Sequence, residues 1–280
     1  STEHAASMVL RTGLDDRHTS ILVALAVEMT RLGDTAMADD QARPVFAAEA
    51  SRTGSDLPLQ PVAALDQLAA RHVLVRSGPR TFTFQHHQFQ EWYASFEVER
   101  LIVEATTRPT DSFQPLRLLI DDRRWEEAIL FACERLSRKG ADGANAIAAV
   151  IEDTLGLDPM LAGDMVHRAD PSVWAVVGDR VERFARTWHA ADQADRALRL
   201  MMTTGRPEFS DVVRPFLISP AGGRHFEVLR LPARFHPTVL GPDAAAFLGT
   251  LEPKLLGEVL AEIVDRGGVA GIDFSVAAAV

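Results

Sequence analysis

Phe84-Gln85-His86-His87-Gln88-Phe89-Gln90-Glu91-Trp92-Tyr93 decides how the rest of the chain is read, because the periodicity of the sequence changes inside it. Upstream, His72 to Val75 and Thr81 to Gln85 are short β-prone runs, and Ser77-Gly78-Pro79-Arg80 between them supplies the break that a hairpin needs. From about His87 onward, Phe89, Trp92, Tyr93, Phe96 and Val103 recur at three- and four-residue steps, which places them on one face of a helix. Gln90, Glu91, Glu97 and Glu99 fall largely elsewhere. The aromatic stripe is therefore expected to be core, packed between the hairpin, its own helix and the helices that follow. A hairpin running directly into an amphipathic helix reads as a wing docked on a helix.

Before the hairpin, Ile21, Leu22, Leu25, Ala26, Met29 and Leu32 make the apolar stripe of a helix that Thr19 or Ser20 can cap and Gly33 can end. Gly33 to Asp40 reads as a turn, and a second helix is expected over Arg43 to Ser51, with Pro44 tolerated in its first turn. Ser55, Asp56, Pro58 and Pro61 mark a loop, after which Pro61 opens a third helix presenting Val62, Leu65, Leu68 and Ala69. Three helices and a two-stranded wing make a winged-helix domain. Its expected extent is residues 18–106, behind a linker at residues 1–17.

Beyond about Thr107 the pattern is helical throughout. Candidate helices run over Arg124–Arg138, Gly143–Leu155, Met160–Arg168, Ser172–His189, Asp192–Thr204, Glu208–Leu217, Gly222–Leu231, Asp243–Leu251 and Lys254–Asp265. Asp158-Pro159, Asp170-Pro171, Gly205-Arg206-Pro207, Ser219-Pro220 and Gly241-Pro242 each stop one helix before the next. Gly205 and Gly241 lie 36 residues apart, inside the ~20–50-residue periods of helical repeats. Residues 107–280 therefore read as HEAT-like helix pairs stacked into an α-solenoid, and the fold class is mainly α.

Composition narrows the function. The chain has 280 residues, 47% hydrophobic content and a net charge of −10. That acidity argues against a nucleic-acid partner, whose phosphates call for a basic surface. No apolar run approaches the ~20 residues that span a bilayer, so no membrane partner is expected. Cys133 is the one cysteine; it fits a reducing compartment, and the expected location is cytoplasmic. It sits in Ile129-Leu130-Phe131-Ala132-Cys133, a setting for a buried, unreactive thiol. The chain opens at Ser1 and ends in the apolar Ser275–Val280, and is expected to be a fragment of a longer protein.

The order Leu22–Leu32, Ala64–Leu74, then Phe84-x-His86-x-x-Phe89-Gln90-Glu91-Trp92 resembles the winged-helix region of NACHT-type signal-transduction NTPases of the STAND class, relatives of NOD-like receptors that include bacterial antiphage sensors. Every position of the last motif matches, with Trp92 where Phe or Tyr is commoner, and the likeness extends over roughly residues 18 to 135, through Trp125-Glu126-Glu127. The resemblance implies that His86 is the histidine reaching the β-phosphate of bound ADP in a closed state. It also implies ATP or ADP with Mg as the parent's cofactors, the NTPase domain of the same chain as a partner, a protein or small-molecule trigger recognised by the solenoid, and an oligomer on activation. The chain itself departs from a complete member: it has no Gly-rich phosphate loop ending in Gly-Lys-Ser or Gly-Lys-Thr. Its two lysines, Lys139 and Lys254, follow no glycine-rich strand-to-helix turn. No cofactor and no enzymatic activity are therefore expected of this segment alone, and no catalytic residue is assigned.

Other polar groups read more plainly. His87 and Glu91 are a surface pair four residues apart rather than a metal site, since no further donor accompanies them. His225 and His236 stand alone and are expected to be structural or exposed. Asp121-Asp122 and Glu126-Glu127 suit a solvated helix start. Arg180, Arg183 and Arg186, three apart on one predicted helix, are a solvated face that could take an acidic partner. The competing class is a free-standing helical scaffold or adaptor whose winged helix binds protein or DNA.

Overall fold

A computed structural model describes residues 18–52, 61–70, 73–107, 113–191, 194–218 and 234–278. The chain is mainly helical with a small antiparallel sheet, and it divides into two compact units, residues 1–132 and 133–280.

In the first unit, helix α1 (His18–Leu32) buries Ile21, Leu22, Leu25, Ala26 and Met29 on the face that their spacing requires. Leu32 lies outside that face and is exposed. Gly33 ends the helix at φ +74°, where it donates to the Thr30 carbonyl at 3.1 Å while Asp34 donates to Met29 at 2.9 Å. This crossed pair satisfies two of the orphaned carbonyls of the last turn.

The next segment corrects the sequence expectation of a plain turn: Ala36–Ala38 is strand β1, burying Met37. Three residues are too few for alternation to be visible, and the strand exists because it can pair with a partner far along the chain. Helix α2 (Asp39–Arg52) begins one turn earlier than expected. Helix α3 (Pro61–Ala70) opens on Pro61 as expected and buries Ala64, Leu65 and Leu68, although Val62 faces out. Strands β2 (Leu74–Gly78) and β3 (Thr81–Phe84) form the hairpin, and β1 pairs on the other side of β3, giving the order β1-β3-β2. The register sets Met37 opposite Phe82 and Leu74 opposite Phe84. All four are buried, so this face of the sheet belongs to the core. Arg76 on β2 fastens the hairpin to its surroundings through Asp39 of α2 and Asp66 of α3, the latter at 2.7 Å.

Helix α4 (His87–Thr107) follows directly, packs along α1, and is succeeded by α5 (Phe113–Ile120), a helix absent from the expected series. Asp122 accepts from the Arg124 amide and caps a short 3-10 turn, Arg123–Trp125, that buries Trp125. Helix α6 (Glu126–Ser137) comes next.

The second unit is helical. Helices α7 (Ala141–Leu155), α8 (Pro159–Arg168), α9 (Pro171–Ala190) and α10 (Ala194–Thr204) each pack on a neighbour in sequence and on the next but one, α7 against α9 and α8 against α10. Asp158 caps α8 by accepting from Met160 and Leu161 amides at 3.0 and 3.1 Å, and Asp170 caps α9 by accepting from Ser172 at 2.9 Å. Proline stands at the first position of both helices, where its missing N–H costs no hydrogen bond. A 3-10 turn (Pro207–Phe209), helix α11 (Ser210–Ile218), a second 3-10 turn (Pro237–Leu240), α12 (Ala244–Leu248) and α13 (Pro253–Ala278) complete the unit. The last helix continues well past its expected end at Asp265. Both the expected linker at residues 1–17 and the candidate helix Gly222–Leu231, with His225, lie outside the described residues. Among the described residues no helix is long and apolar enough to cross a membrane.

Candidate functional site

The stretch from Phe84 to Tyr93 turns a strand into a helix within three residues. Along β3, Phe82 and Phe84 point inward while Thr81 and Thr83 are only partly covered, and Gln85 donates its backbone N–H to Val73 at 3.0 Å to close the ladder. His86 then stands just outside α4. Its carbonyl accepts from Phe89 at 2.9 Å, starting the first turn, and its exposed imidazole rests against the Phe89 ring at 5.6 Å between centroids.

The aromatic stripe does not form the core, contrary to the sequence expectation. Phe89 is 40% and Trp92 38% exposed. The buried face of α4 carries Gln90, Ala94, Ser95, Val98, Ile102 and Ala105 instead. Small residues on that face let the two helix backbones come close, which bulky rings would prevent. Gln90 is accommodated there because its amide N–H2 donates to Thr30 Oγ1 at 3.3 Å and to the Asp34 carbonyl at 3.1 Å, so a polar group in the core is satisfied. The rings pack on one another: Trp92 meets Tyr93 edge-on at 4.9 Å and Phe96 at 4.8 Å, and Tyr93 reaches Phe84 at 5.9 Å. Phe89, Trp92, Tyr93 and Phe131, with Gln85 and Gln88, line a groove of about 530 Å³. Partial burial raises the pKa of the Tyr93 phenol.

His87 and Glu91 form the expected surface pair, Nε2 to Oε1 at 3.2 Å. Burial raises the Glu91 pKa, with His87 opposing and Glu127 adding to the rise. Among the described residues no group of three or more His, Cys, Asp or Glu side chains could hold a metal ion.

The arginine row of α9 is corrected in its availability. Arg180 pairs with Glu152 of α7. Arg186 pairs with Asp211 at 2.9 Å and Glu182 at 3.6 Å and donates to the Glu208 carbonyl at 2.9 Å. Asp211 holds the Arg186 pKa above its usual value. Two of the three guanidiniums thus tie α9 to its neighbours, and Arg183 is exposed beside them. The row cannot offer an acidic partner three free cations.

Cys133 is fully buried, and burial pushes its thiol up to about 12; a thiol so held is not a nucleophile at neutral pH. His236 is not alone, contrary to the sequence reading. It is 8% exposed and stacks face to face on His167 of α8, with centroids 3.3 Å apart and planes 7° from parallel. Neither histidine stands in a motif, and the segments that carry them are joined only by the fold. The one sequence signal nearby was Gly205, which takes φ +63° at the end of α10.

No family model, curated protein or solved structure matches this chain.

Proposed function

We propose that this chain is the non-catalytic regulatory and ligand-sensing part of a NACHT-type STAND signalling NTPase, with a winged-helix domain in the first unit and a HEAT-like helical repeat in the second. The observation that carries the reading is His86, exposed at the junction of β3 and α4 within the matching motif and free of the core. The element order of the first unit, α1-β1-α2-α3-β2-β3 followed by α4, with β3 central in the sheet, supports the winged-helix assignment. Stacking of consecutive helices on neighbours one and two apart supports the repeat.

In this reading the imidazole donates a hydrogen bond to the β-phosphate of ADP held by the NTPase domain of the parent, and the closed monomer is favoured. A trigger bound by the helical repeat favours the open, oligomerising form, so the device is a two-state switch biased from both ends. The DNA-binding alternative has less support. Helix α3 carries no basic residue, and Arg76 of the hairpin is engaged by Asp39 and Asp66, so of these elements only Arg80 at the hairpin turn presents an exposed cation to phosphates.

The test is His86→Ala in the full reading frame. Its expected result is at least about tenfold less ADP retained through purification, the loss of one charge-assisted hydrogen bond, together with raised basal signalling. Unchanged nucleotide content and signalling would sink the sensing role, as would a full reading frame without a phosphate loop.

A further inference from the structure

The second unit holds a cavity that no part of the switch model uses. It is an open cleft of about 520 Å³, within the ~300–1,000 Å³ typical of small-molecule sites. His167, Arg206 and Thr238 supply its polar side chains, and Pro171, Pro207 and Pro242 part of its apolar wall. We propose that this cavity binds a small organic anion, which presents a carboxylate or phosphate group to Arg206, His167 and Thr238 and lays an apolar body against the prolines. The inference stands on the second unit alone and is independent of the nucleotide reading of His86.

Three observations converge on it. First, Arg206 is a cation without a carboxylate partner among the described residues. Its Nη2 donates to the Val166 carbonyl at 3.2 Å and its guanidinium lies 4.9 Å from the Trp174 ring centroid, while Nε is buried with no acceptor. Glu208, the nearest candidate, is turned to the Trp174 indole, accepting from Nε1 at 2.7 Å. Second, both ring nitrogens of His236 are buried without a partner among the described residues. His236 lies behind the lining, stacked on His167, so it backs the polar wall rather than forming it. Third, the wall is built to close approach: a Cβ at Gly205 would lie 2.8 Å from both His236 Cβ and Thr238 Oγ1 and 3.1 Å from His167 Nδ1. Thr238 in turn donates to the Gly205 carbonyl at 2.6 Å.

The electrostatics select an anion over a metal ion. Both imidazoles have lowered pKa values. For His167 the cause is burial of the ring, then Arg206, Arg234 and Arg168, against a hydrogen bond to the Thr204 backbone; for His236 it is burial, then His167 and Arg234. The carboxylates near these arginines are committed: Asp164 to Arg234 at 3.3 Å and Glu134 to Arg168 at 3.4 Å. A cation would meet arginines. It would also meet two imidazoles whose lone pairs lie in parallel planes about one ring thickness apart, so that both cannot point at one ion.

Titration of the whole chain with inorganic phosphate, and separately with benzoate, tests the proposal by NMR at pH 7. The two probes distinguish a phosphate ligand from a carboxylate with an apolar body. The expected result is saturable shifts of the Gly205 and Thr238 amides and of the His167 and His236 imidazoles with at least one probe. Arg206→Gln should weaken that binding at least about tenfold. No saturation by either probe up to about 20 mM, a ceiling set by the affinity such small fragments can reach, overturns the site. So does binding that shifts other residues only, or an Arg206→Gln variant that binds unchanged. The mapping on the unmodified chain decides the matter even where the variant does not fold.

Discussion

The two histidine neighbourhoods of this protein are opposites. His86 and His87 are adjacent in sequence, exposed and embedded in a dense motif, whereas His167 and His236 come from distant segments and are brought face to face by folding. The first pair draws attention in the sequence; the second is invisible there, and burial lowers the pKa of both its imidazoles, with His236 pushed down to about 3. Strongly shifted protonation reports where the fold has removed water, and only long-range contacts do that.

The sharpest way to break the contrast is at Gly205. Its φ of +63° and the 2.8 Å approach to His236 and Thr238 leave no room for a Cβ, so Gly205→Ala should destabilise the second unit by about 2–4 kcal/mol. Gly140→Ala, also at positive φ but with open space around it, should cost about 1 kcal/mol. Equal losses in chemical denaturation would mean that the histidine wall is not tightly built. Acid comes next. Because His236 is held neutral when folded and takes a proton when unfolded, it contributes stability that is complete above pH ~6.5 and is lost as the pH falls toward about 3. The limiting slope is about 1.4 kcal/mol per pH unit. His236→Phe should remove its part of the slope, leaving the part that comes from His167, whose pKa burial also lowers, and His86→Ala should leave the whole slope in place; denaturation midpoints at pH 7 and pH 5 decide between them. The smallest effect belongs to His87→Ala, which deletes a half-exposed pair with Glu91 and should change stability by less than about 0.5 kcal/mol. A larger loss would show that the motif's surface face is structural.

Much of the first unit was legible. The hairpin and the switch of period at His87 are present as expected, as are the proline start at Pro61 and the glycine stop at Gly33, because each rests on local chemistry that tertiary packing had no reason to override; the first hairpin strand, however, runs on through Ser77 and Gly78, which read as turn. Strand β1 was hidden, since Ala36-Met37-Ala38 becomes a strand only by pairing with Thr81 to Thr83. The buried face of α4 is illegible in the sequence for a related reason. Hydrophobicity favoured the rings, but close packing against α1 favoured Ala94 and Ser95, and one buried glutamine found its partners on Thr30 and Asp34. In the second unit the helix breaks at Asp158-Pro159, Asp170-Pro171 and Gly205 were readable, while the ion pairs that occupy Arg180 and Arg186, and the histidine stack, depend on neighbours that no spacing rule supplies.

The buried thiol of Cys133 has a practical side. With its proton held to about 12 and no surface exposed, the native side chain will ignore maleimides and disulfide reagents under conditions in which an ordinary surface cysteine reacts. A cysteine introduced at exposed Val75 in the hairpin or at exposed Val176 on α9 would then be the one reactive handle on an otherwise unaltered chain. Fluorophores or spin labels could report motion of either unit without first engineering a cysteine-free background.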